Sequence, residues 1–192
     1  MSETAQRDQM PAYSEAVQSG LYAKKTGLVG KYDNVRRYWE DEITRHFLYP
    51  HMEKLARHCR SQMRRVRIMD LGCGSADGYE LLIGIRDRDS DLQEVEVQLL
   101  TPDVLGSYKG VDLNDPLLEQ ARTVCNGNPK TTFVQADFTK GLPLAEDERP
   151  YDLYFSSFGT SSHHTDDRTM VRLLSDIAKR TEDYSVVICD WL

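Results

Sequence analysis

The chain has no uninterrupted apolar run of bilayer-spanning length, and its opening Met1-Ser2-Glu3-Thr4-Ala5-Gln6-Arg7-Asp8 is too polar to resemble a secretory leader. No membrane partner is expected. Cysteine is sparse as well. Cys59, Cys73, Cys125 and Cys189 stand far apart with no Cys-x-x-Cys pair, which argues against a zinc site or a disulfide framework and for a reducing, cytoplasmic setting. Basic charge is in deficit: 24 Lys and Arg face 31 Asp and Glu, for a net charge of −7. Such a surface repels phosphate backbones, so no nucleic-acid partner is expected. The local exception, Arg57, Arg60, Arg64, Arg65 and Arg67, reads as a solvated helix end leading into a strand. The 192 residues are otherwise ordinary, with 40% hydrophobic and 29% charged side chains. That is the make-up of one domain with a real core and a small helical extension.

The most informative segment is Ile68-Met69-Asp70-Leu71-Gly72-Cys73-Gly74-Ser75-Ala76-Asp77-Gly78, an apolar strand running into glycines and then into the helical Tyr79-Glu80-Leu81-Leu82. A strand–glycine turn–helix unit gathers backbone N–H groups and the positive end of a helix at one point, which suits a nucleotide-like or carboxylate-bearing cofactor.

Around it the pattern alternates. Strands are predicted at 66–71, 107–113, 131–135, 151–156 and 185–190, and helices at 78–85, from Asp115, and at 168–181. Asp115 is expected as N-cap with Pro116 opening that helix. Strands separated by helices imply an α/β, doubly wound, mostly parallel Rossmann-like sheet, whose ligands sit beyond the carboxyl ends of the strands. Residues 1–60 read as an N-terminal extension with lid-like helices and 61–192 as the core. In the extension Val35, Tyr38, Trp39, Ile43, Phe47 and Leu48 recur at helical steps, and Pro50 predicts a break into a second helix carrying Met52, Leu55 and Ala56. The long segment Arg86–Gly106 reads as either an inserted strand or hairpin or a surface excursion. Ending at Leu192, the chain is expected to be truncated after the fifth strand, leaving Val186-Val187-Ile188-Cys189 as an apolar edge for a missing C-terminal segment or a second chain to cover.

Acidic residues recur at strand ends. Asp70 precedes the glycines, Asp112 ends the second strand, and Asp137 follows the third beside Phe138. A carboxylate ending the second strand can accept both hydroxyls of a ribose and disfavours a phosphate there. One after the third strand can accept from an exocyclic amine, with an aromatic ring available for stacking. Together they describe an adenosine without a 2′-phosphate. A nicotinamide-dependent oxidoreductase would need Gly-x-Gly-x-x-Gly, but Asp77 holds the last position.

From Ile68 to Leu192 the chain resembles the class I S-adenosylmethionine-dependent methyltransferases. Asp70-Leu71-Gly72-Cys73-Gly74-Ser75-Ala76 is similar to their acidic-x-Gly-x-Gly-x-Gly signature, Asp112 to their ribose acid, and Asp137-Phe138 to the segment that contacts adenine. The resemblance implies S-adenosyl-L-methionine as cofactor. Gly72 and Gly74 would lie under its methionine portion, Asp70 would anchor the polar end, and Cys73, Leu113 and Ser156 would complete the contacts. Ala76 departs from the pattern, standing where the third glycine is usual; a slightly wider turn is expected.

The methyl acceptor is expected to be a small molecule with an O, N or C nucleophile. His163 or His164, in the loop after the fourth strand, could serve as general base, or could pack against the next helix. Reading His163, His164, Asp166 and Asp167 as metal ligands is disfavoured, because adjacent residues at a helix start diverge. Tyr32, Arg36, Tyr38 and Trp39 form an aromatic–basic cluster in which Arg36 could pair with the methionine carboxylate. Core packing of Tyr38 and Trp39 is the competing reading. A non-catalytic cofactor-binding module or partner subunit is the alternative to an enzyme.

Overall fold

Alternation along a single strand sets the layers. Val66 and Ile68 pack on one side of the sheet, Met69 and Leu71 on the other, so both faces of β1 (Val66–Leu71) are covered. The structure, a computed structural model, describes residue 15 and residues 34–88, 97–157, 160, 167–181 and 184–189. Helix α1 (Asn34–Ser61) precedes β1. Then follow α2 (Asp77–Ile83), β2 (Leu105–Asp112), α3 (Asp115–Val124), β3 (Thr131–Gln135), a 3-10 turn at Phe138–Lys140, β4 (Leu153–Ser156), α4 (Asp167–Arg180) and β5 (Val186–Cys189). The sheet has five strands in the order β3-β2-β1-β4-β5, every pair parallel. The chain moves outward from β1 through β2 to β3, then returns to the other side of β1. The order therefore reverses between β1 and β4, where such sheets open a crevice for ligands.

Two cores lie against the sheet. Met52, Leu55, Leu81 and Leu82 from α1 and α2 meet Ile68, Tyr108 and Phe155 on one face. Met170, Leu173 and Ile177 of α4 meet Met69, Leu71 and Tyr154 on the other, together with Phe138. Among the described residues no helix is long and apolar enough to cross a membrane.

Three local expectations change, and one left open is narrowed. Pro50 does not divide the extension, since α1 is one helix with Pro50 inside it. An interior proline costs about 3 kcal/mol or more. Burying Leu48, Met52 and Leu55 along one continuous face returns about 1.5–3 kcal/mol each, so packing outweighs the break. From Tyr38 to Phe47, α1 leaves its large apolar residues outside the core: Trp39 is 61% and Phe47 69% exposed, and Tyr38 and Ile43 are also exposed. Core packing of Tyr38 and Trp39 is thereby overturned; the two rings meet edge to face at 5.6 Å. The N-cap of α3 is Asn114, not Asp115. Its extended backbone lets its side chain accept from the Leu117 N–H, while Asp115 opens the helix. The long segment after α2 starts and ends as an antiparallel pairing. Arg86 bridges Gln98, Asp87 N donates to Val97 O at 2.7 Å, and Leu99 and Leu100 are buried; residues 89–96 lie outside the described residues.

Candidate active site

The glycine turn bends back because Gly72 (φ +77°) and Gly74 (φ +52°) take left-handed backbone that residues with a Cβ rarely adopt. The amides of Gly72 and Cys73 both donate to the Val111 carbonyl, at 2.8 and 3.0 Å. The Gly74 amide donates to Asp112 Oδ2 at 2.9 Å, and Asp112 Oδ1 accepts from the Asn114 amide at 2.8 Å. The acid at the end of β2 thus holds the turn and the start of α3 together. A carboxylate offers about four acceptor positions, so holding the turn and receiving a diol are compatible roles. Among the described residues a Cβ on Gly74 would meet nothing within 4 Å, so they leave the outer side of the turn open.

Ala76 follows in the left-handed region, with φ 70° and ψ 30°, at the N-cap of α2. Its methyl group is fully buried and packs with Ala121 and Cys125 between α2 and α3. The departure from the third glycine therefore places a methyl in the helix layer, and the expected wider turn is replaced by a left-handed alanine.

Asp70 points into the same layer. It is fully buried, accepts from the Tyr108 hydroxyl through Oδ2 at 2.5 Å, and its Oδ1 has no hydrogen-bond partner among the described residues. Burial pushes its pKa up to about 7, opposed by the Tyr108 bond and reinforced by the carboxylates of Asp112 and Asp77. Gly78 is what admits it, since a Cβ there would lie 2.3 Å from Asp70 Oδ2. Cys73 is buried too. Its thiol is pushed well above the usual range by burial, then by Asp70 and Asp112, which disfavours a nucleophilic role.

At the end of β3, Asp137 caps the 3-10 turn. It accepts from the Thr139 amide at 3.0 Å and pairs with Lys140 at 3.2 Å. Burial would raise its pKa, but the bonds from Thr139 and Lys140 outweigh that and hold it below the usual carboxylate range. Phe138 packs inward with Met69 and Val111. Leu113 is exposed at the rim, whereas Ser156 and Ser157 are buried where β4 ends.

The segment after β4 reaches the turn, as the topology predicted. Thr160 Oγ1 donates to the Ser157 carbonyl at 2.9 Å and lies 3.4 Å from the Gly72 carbonyl. A Cβ on Gly72 would fall 2.1 Å from Thr160 Cγ2, so only glycine leaves room for this contact. His163, His164 and the Arg36 side chain lie outside the described residues. Thr160 and Tyr108 escaped sequence reasoning. The parallel register that sets Tyr108 beside Ile68, one side-chain position from Asp70, is the signal that could have found the second.

The residues fit the adenosyl cofactor in three respects: an acid at the end of β2, an open outer side at Gly74, and an unpartnered polar atom, Asp70 Oδ1, close to the turn. The chain has the α/β fold of class I, Rossmann-like methyltransferases. It resembles the sugar N-methyltransferase KedS8 from Streptoalloteichus with a TM-score of 0.51 and 16% identity, covering 88% of this chain and 59% of that one. It also resembles an S-adenosylmethionine-dependent methyltransferase from Clostridium acetobutylicum with a TM-score of 0.51 and 15% identity, covering 83% and 57%. The chain thus spans less than two thirds of the length of either. No family model and no curated protein matches the sequence.

Proposed function

We propose that the chain binds S-adenosyl-L-methionine at the carboxyl edge of the sheet and transfers its methyl group to a nucleophile of a small molecule. The observation that carries the reading is the bond from Gly74 N to Asp112 Oδ2, which ties the glycine turn after β1, beside the switch point, to a carboxylate ending the neighbouring β2. Asp112 would take the ribose hydroxyls and the open side of the turn at Gly74 the methionine portion. When bound, the cofactor supplies an electrophilic methyl with its own leaving group. Methyl transfer then asks the protein mainly to position the acceptor and exclude water. Thr160 and the buried Ser156 and Ser157 border that place from the β4 side.

The acceptor is proposed to be an amine or hydroxyl of a metabolite. The acidic net charge supports a small molecule over nucleic acid, and the sugar substrate of the fold neighbour makes amino sugars a sensible first class. Mass-spectrometric detection of methylated products across amine and hydroxyl metabolites tests this. Turnover with at least one member is expected. Cofactor binding without any transfer would favour a non-catalytic binding module.

A further inference from the structure

The opposite, amino edge of the sheet carries a feature that methyl transfer does not use. Segments leading into β1, β4 and β5 enclose a cavity of about 200 Å³, lined by Gln62, Arg64, Arg67, Arg149, Tyr151 and Tyr184 among others. Asp152, buried at its margin, pairs with Arg64 through Oδ1 and accepts the Arg67 amide at 2.8 Å through Oδ2. The Arg67 guanidinium stacks over the Tyr151 ring at 4.6 Å and lies 3.9 Å from Glu148. Both guanidinium groups are therefore fixed before any ligand arrives. Arg149 is exposed and forms no ion pair with a carboxylate among the described residues. A neighbouring cavity of about 230 Å³ shares Arg64 and adds Arg60 and Arg65. On a chain of net charge −7, this edge gathers five arginines around Asp103, Glu148 and Asp152.

We propose that the cavity at Arg64, Arg67 and Arg149 is an oxyanion site that takes the phosphoryl group of a small phosphomonoester. Planar guanidinium forks match phosphoryl oxygens, and stacking on an aromatic ring keeps a fork oriented. The volume lies below the roughly 300–1,000 Å³ of sites for drug-sized ligands, which favours a phosphoryl group with little attached. A polynucleotide is disfavoured by the acidic remainder of the surface.

Calorimetry and thermal melting of the full chain with inorganic phosphate and ribose 5-phosphate, against sodium chloride at matched ionic strength, provide the test. Saturable binding with a rise in Tm beyond the chloride control is expected. Arg149→Gln should weaken binding about tenfold or more and leave Tm without phosphate unchanged, while Arg60→Gln should leave the affinity intact. No effect beyond chloride, or an unaltered affinity in Arg149→Gln, overturns the proposal. So does a single-stranded oligonucleotide that binds more tightly than phosphate and loses affinity in Arg60→Gln. No arm contains the methyl donor, so failure here and failure of the methyltransferase reading are separate results.

Discussion

Replacing Ala76 by glycine separates two meanings of the missing third glycine. The left-handed backbone at φ 70° costs an L-residue about 1–2 kcal/mol, which glycine would release. The methyl lost is fully buried against Ala121 and Cys125, and its removal costs about 0.8 kcal/mol. Glycine also frees the unfolded chain, costing about 0.4–1 kcal/mol. These contributions nearly cancel, leaving a net change within about 0.8 kcal/mol of zero and a Tm within about 3 °C of wild type. Since the methyl faces the helix layer, affinity for S-adenosylmethionine should stay within about twofold, well under the 1.4 kcal/mol that a tenfold change represents. Ala76→Val is the contrasting variant: a β-branched side chain at positive φ should destabilise clearly. Melting curves and calorimetric titration read both quantities. A tenfold gain in affinity on Ala76→Gly would show that the methyl crowds the cofactor and refute the placement.

Further expectations concern the carboxylate beneath the turn. Asp70 titrates near 7 in the folded chain against an ordinary 3.8, so between those values the folded state holds the extra proton. Its contribution to stability is fully present below about pH 4 and is lost as pH rises through about 7, by up to roughly 4 kcal/mol. Asp70→Asn should flatten that stretch of the stability profile in denaturant titrations, and parallel profiles for the two proteins would refute the assignment. Gly78→Ala should destabilise by about 1–3 kcal/mol despite better helix propensity, because its Cβ would fall 2.3 Å from Asp70 Oδ2 and 3.1 Å from Phe155 Cε1. An unchanged denaturation midpoint would mean that the pocket around Asp70 is looser than described.

β1 was legible as an apolar run, which is how a strand covered on both faces reads, with Gly72 and Gly74 punctuating its end. The parallel order followed from strands alternating with helices, and the place proposed for the site followed from that order. What escaped depended on contacts distant in sequence. Pro50 lies within a continuous helix because the residues buried on both sides of it pack against strands that local propensity does not see. Asp70 and Tyr108 are neighbours only through the β1–β2 register, and Thr160 meets Gly72 only through the β1–β4 crossover. Asp112 was legible as a candidate site residue but not as the residue that holds the turn, since its bond to Gly74 spans 38 positions.

The most direct measurement is a calorimetric titration of S-adenosyl-L-methionine into the full chain and into Asp112→Asn. Wild type should bind one equivalent. The variant keeps an amide oxygen for one of the two backbone donors, at Gly74 and Asn114, but loses the charge that serves a ribose diol, so its affinity should fall by about 1–3 kcal/mol. Absence of binding to wild type, or equal affinity in a folded Asp112→Asn protein, would contradict the account.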